Sequence, residues 1–155
     1  MASVGSRGRE IARSDRSLWY ARAAIAVVFA WNVECAIAFI ARPERYMAGF
    51  ELGGLPGAML VRAMGILFAM WNVPYAVALW HPRRHRTSLI EALVMQSIGL
   101  VGETALWLTL PAGHALLRSS AWRFMLFDGA GLVLLALALW LANRTARPRE
   151  AGRLF

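Results

Sequence analysis

Residues 121–142 read AWRFMLFDGAGLVLLALALWLA, an apolar run with one arginine near its start and one acid, Asp128, inside it. At ~1.5 Å of rise per residue such a run, wound as a helix, covers the ~30 Å of hydrocarbon in a bilayer. Working outward from it, three more runs of similar length and character precede it, at about 18–41, 57–80 and 88–110. The chain is 155 residues long, is 59% hydrophobic and has a mean hydropathy of +0.49, too apolar for a water-soluble domain of its size. The expected fold is therefore all-α, a transmembrane four-helix bundle over 18–142, flanked by a basic segment at 1–17 and a basic tail at 143–155. The first run is too long for a signal-peptide core and holds Glu34, so it is expected to stay in the mature protein.

The net charge of +8 comes from 17 basic residues, all arginine. Arg7, Arg9, Arg13, Arg16 and Arg22 precede or open the first run, Arg83, Arg84 and Arg86 separate the second from the third, and Arg144, Arg147, Arg149 and Arg153 follow the fourth. In a four-span topology these blocks fall on one side, which predicts cytoplasmic termini and explains the basicity without nucleic acid. Membrane lipids are the expected surroundings, in the cytoplasmic membrane. Trp19, Trp80 and Trp140 mark the inner edge of the bundle; Trp107, Trp122 and Tyr46 mark the outer one. Pro82 closes the second run and Pro111 the third, and Ser88 with Glu91 has the form of a capping box opening the third. In the first loop, Pro43 is placed to start a short helix on the membrane surface, and Gly53, Gly54 and Pro56 to turn the chain back.

Each run carries an ionisable residue at depth: Glu34, Arg62, Glu103 and Asp128. Counted from the outer ends of the runs they lie seven, five, seven and seven residues in (41 − 34, 62 − 57, 110 − 103, 128 − 121). These depths are roughly 8 to 10 Å, so the four side chains are expected in one layer. Helical spacing gives the inward stripes as Val27, Ala30, Glu34, Ile37; Arg62, Gly65, Ala69, Asn72, Ala76; Ala92, Gln96, Gly99, Glu103; and Asp128, Gly131, Leu135, Ala138. With Arg62 paired to Asp128, Glu34 and Glu103 would share a proton or bind a cation. The other reading is a structural network in which the acids bond to Asn32, Asn72 or Gln96 and fix helix register. Trp31 and Trp71 lie too deep for an aromatic belt and are candidate contacts for a flat ligand such as a quinone ring, with packing as the plainer account.

Other signals point away from familiar chemistry. Cys35 is the lone cysteine, so no intrachain disulfide can form. His81 and His85 are interrupted by Pro82 and suit lipid phosphate better than a metal, and no histidine lies within a run to ligate haem. Neither a phosphate loop nor a nucleophile elbow is present.

A Gly-Pro connector entering Val61-Arg-Ala-Met-Gly-Ile-Leu-Phe68 and an exit through His81-Pro-Arg-Arg-His-Arg86 resemble the small DoxX-like four-helix membrane proteins. The resemblance covers about residues 18 to 142 and rests on span number, loop lengths and the proline-arginine exit. It implies a cytoplasmic-membrane protein, in some relatives an accessory subunit of quinone-linked sulfur oxidation or of a redox-stress complex, and it assigns no functional residue. The chain thus reads first as a non-enzymatic accessory or assembly subunit with a polar core, partnered by a membrane complex or by copies of itself. The second reading is a small proton-coupled or cation-binding transporter using Glu34 and Glu103; the third is a quinone-docking redox subunit.

Overall fold

The structure, a computed structural model, describes residues 4–144, with side chains from residue 15 onward. Arg147, Arg149 and Arg153 and the side chains of Arg7, Arg9 and Arg13 lie outside what is described. In chain order the elements are α1 (Val4–Ala41), α2 (Glu44–Met47), a 3-10 turn (Ala48–Phe50), α3 (Gly54–Trp71), α4 (Val73–Trp80), α5 (Arg86–Thr109) and α6 (Ala115–Arg144). Four helical stretches are long and apolar enough to cross a membrane: Asp15–Ala41, Gly54–Trp80, Arg86–Thr109 and Ala115–Arg144. Only 17% to 28% of each apolar window is buried inside the protein, so most of the apolar surface faces outward. Such a surface would associate in water and is the ordinary exterior of a bundle in hydrocarbon.

The second span is two helices. Pro74 has no N–H to offer the Met70 carbonyl, and the helix breaks two residues earlier, at Asn72. There the side chain reinforces the ladder: Asn72 Nδ2 donates to the Phe68 carbonyl at 2.7 Å, which also accepts from the Asn72 backbone N–H at 3.2 Å. The break re-aims the span. α4 packs against α5, whereas α3 packs against α1 and has no comparable contact with α5. α5 lies along α6, and α6 along α1, which closes the ring in chain order. Spans two and three are therefore joined at one end of the bundle and parted at the other.

The joined end, near residues 81–85, is filled by a core of Ala21, Ile25, Val28, Ala78, Leu89, Leu135 and Ala138. At the parted end α2 and the 3-10 turn form a lid. Phe50 and Tyr46 of the lid join Phe39, Phe68 and Phe124 in one aromatic cluster, with ring centroids 5.0 to 6.3 Å apart. Ser120 Oγ fixes the lid by donating to the Gly49 carbonyl at 2.7 Å. Glu51, in a left-handed conformation at φ 57°, fixes it again. One of its carboxylate oxygens lies 2.5 Å from His114 Nδ1 and the other accepts from the Leu117 amide at 3.4 Å, inside the first turn of α6. The hydrogen bond with His114 holds the Glu51 carboxyl below its ordinary range.

Two local expectations change. The Ser88–Glu91 capping box is not formed, because α5 starts earlier, at Arg86, with His85 at its N-cap. The inward stripe of the first span also lies elsewhere: Val27, Ala30, Glu34 and Ile37 are all exposed, and the buried positions are Ala21, Ala24, Ile25, Val28, Ala36 and Phe39. In the second span Val61, Gly65, Asn72, Tyr75 and Ala78 face inward, while Ala69 and Ala76 do not. Gly65 allows the crossing of α1 and α3, since a Cβ there would come within 2.9 Å of the Ala36 carbonyl oxygen.

Candidate functional site: an aromatic cavity with an acid pair

Between the lid cluster and the core at the joined end lies a cavity of about 120 Å³. All four spans line it: Trp31, Asn32 and Cys35 from α1; Phe68, Trp71, Asn72 and Tyr75 from the broken span; Met95, Gln96, Gly99 and Glu103 from α5; and Phe124, Phe127 and Asp128 from α6. The aromatic groups make its walls. Trp31 and Phe127 meet edge to face at 5.7 Å, and both are partly exposed on the outside of the bundle, as is Trp71.

The polar groups form a chain along one side. The Tyr75 hydroxyl donates to Gln96 Oε1 at 2.6 Å, with the Ala92 carbonyl a longer acceptor at 3.1 Å, and Gln96 Nε2 donates to Asp128 Oδ1 at 2.7 Å. The Glu103 carboxyl lies beside that of Asp128. Helical spacing makes this arrangement, because Gln96, Gly99 and Glu103 fall on one face of α5. Gly99 provides the space for it: a Cβ there would collide with Asp128 Oδ2. Gly131 does the same for Gln96, whose Nε2 lies 2.6 Å from where a Cβ would stand.

Among the described residues that line the cavity, two buried acceptors have no partner. Asn72 is only 4% exposed, yet its Oδ1 accepts nothing, since the amide is anchored through Nδ2. Glu103 Oε2 is likewise out of reach of solvent and unpartnered. An acceptor left unmade in this way costs about 1–3 kcal/mol.

Of the four ionisable residues expected at one height, the structure brings Glu103 and Asp128 together and sets the other two apart. Glu34 is exposed on the far side of α1 and does not line the cavity. Depth alone does not decide facing: two residues separate it from Asn32, which is about 200° of helical rotation. Arg62 donates through Nε to the Ile40 carbonyl at 3.2 Å, capping the end of α1 where a cation complements the free carbonyls. It makes no ion pair with Asp128. Among the described residues the one ion pair is His114 with Glu51. Gln96, Asn72, Asn32, Trp31 and Trp71 all line the cavity.

Tyr75, Cys35, Phe68, Phe124 and Phe127 are cavity residues that the sequence reading passed over. Tyr75 had a usable signal, a hydroxyl three residues from Asn72 on the same helical face, whereas phenylalanines in an apolar span carry none. Set against family models, curated proteins and solved structures, the chain matches none.

Proposed function

We propose that this is a multi-pass protein of the cytoplasmic membrane, with both termini cytoplasmic, whose bundle holds a small molecule taken up from the bilayer. The topology rests on the three arginine blocks, which a four-span arrangement gathers on one side. The ligand rests on one observation, a cavity whose lining sets the carboxyls of Glu103 and Asp128 among aromatic rings and includes no basic side chain. A network that served helix register alone would satisfy its own atoms; this one leaves Asn72 Oδ1 and Glu103 Oε2 without a partner in residues beside the cavity. A cavity of about 120 Å³ is of the order of the ~150 Å³ cavity that takes benzene. It suits a ring-sized body and has less room for a substituted quinone head.

The test is a fluorescence titration of the full chain in lipid nanodiscs, because Trp31 and Trp71 flank the cavity. Added 2-phenylethylamine, 2-phenylethanol and propylbenzene should between them give at least one saturable change in tryptophan emission. Cys35→Leu, which pushes two further heavy atoms into the cavity, should abolish it. If none of the three saturates, the cavity is not a binding site and the accessory-subunit reading takes its place.

A further inference from the structure

The proposed cavity leaves open what kind of molecule it takes. Three features bear on that. First, two carboxyls, Glu103 and Asp128, lie side by side at membrane depth, and among the described residues no arginine or histidine pairs with either. In low dielectric such a pair needs a positive partner or a proton. Second, the buried atoms left without a partner beside the site are both acceptors, Glu103 Oε2 and Asn72 Oδ1, while Tyr75 OH, Gln96 Nε2 and Asn72 Nδ2 each already donate a hydrogen bond. The site therefore asks for hydrogen-bond donors. Third, the facing wall presents Trp31, Trp71 and Phe127, whose ring faces attract cations as well as apolar groups.

We propose that the ligand is a small organic ammonium ion with an apolar body of about one ring. Its N–H groups point to the Glu103–Asp128 carboxyl pair, and its body lies against the tryptophans. A primary ammonium has three N–H donors and no acceptor, which matches what the site lacks. A bare metal ion fits less well, since among the described residues no three of His, Cys, Asp and Glu gather. This assignment rests on the cavity being a ligand site, and the experiment separates the two claims.

In the same nanodisc titration, 2-phenylethylamine supplies ring, donors and charge, 2-phenylethanol ring and one neutral donor, and propylbenzene the ring alone. The amine is expected to bind about tenfold tighter than the alcohol, the ratio a charge-assisted hydrogen bond adds over a neutral one. Glu103→Gln and Asp128→Asn keep the side-chain shape and should each bring amine and alcohol within about twofold of one another. Equal or tighter binding of the alcohol by the unaltered protein overturns the ammonium assignment while leaving the cavity a ligand site. Failure of all three to saturate removes the cavity reading itself. Should either variant not accumulate, the amine-to-alcohol ratio of the unaltered protein still decides.

Discussion

At the scale of single residues, the ionisable groups of this chain differ in whether their neighbours complete them. Arg62 completes the end of α1, and Glu51 completes the start of α6 while His114 completes Glu51. Because Glu51 is held below its ordinary range in the folded protein, its carboxylate contributes stability at pH values above the unfolded value of about 4.3. That contribution is lost as the pH falls through the lower, folded value. The lid over residues 44–53 should then open first, so its hydrogen-exchange protection, taken against the intrinsic amide rate at each pH, is expected to fall on going from pH 6 to below pH 4 while the spans stay protected. Glu51→Gln should show the lowered protection already at pH 6. Identical lid protection in both proteins at pH 6 would mean that Ser120 and the aromatic cluster hold the lid by themselves. The same scale shows what single residues could and could not tell in advance. That Glu103 and Asp128 share a height follows from counting along the helices, and the structure has them adjacent. The facing of Glu34 was not countable, because residues 23–31 are apolar on every side and leave no periodic signal to phase the helix. Asn32 and Cys35, the two mildly polar groups that do face the cavity, were the better guide.

Among the elements, the broken second span matters most for the cavity. Its ends were legible as one run from 57 to 80, and Pro74 was in view, but the consequence of the proline needs the neighbours to be known: α4 stays with α5 while α3 departs with α1. Pro74→Ala returns an N–H to the Met70 carbonyl and removes the reason for the break. The helix should straighten and α3 move toward α5. The variant is expected to be more stable by about 1 kcal/mol, seen as a raised unfolding temperature in detergent. Its affinity for 2-phenylethylamine should drop, because the cavity narrows as the spans close. A raised unfolding temperature with unaltered affinity would show that something other than the kink keeps the cavity open. The lid was legible too, as a helix starting after Pro43. Its seating on Phe39 and Phe124 was not, since those rings come from helices far apart in sequence.

For the whole molecule, the two plugs and the parted spans together set the route to the cavity. The core around Ile25, Leu89 and Leu135 fills the joined end and the phenylalanine cluster with its lid fills the other, so on the membrane placement proposed above neither aqueous face leads directly inward. The remaining way is sideways, between α3 and α5, past the outward-facing Trp71. A molecule entering there must first dissolve in the bilayer. Cys35, the lone cysteine, lines the cavity and reports on this route. In sealed vesicles a neutral, lipid-soluble maleimide should modify Cys35, and 2-phenylethylamine should slow that reaction. A permanently charged thiosulfonate, which cannot cross hydrocarbon, should leave it untouched from either face. Phe50→Ala, which thins the lid cluster, should admit the charged reagent from the lid side alone. If the charged reagent instead modifies the unaltered protein as fast as the neutral one, an aqueous passage reaches the cavity and entry through the bilayer is not the route.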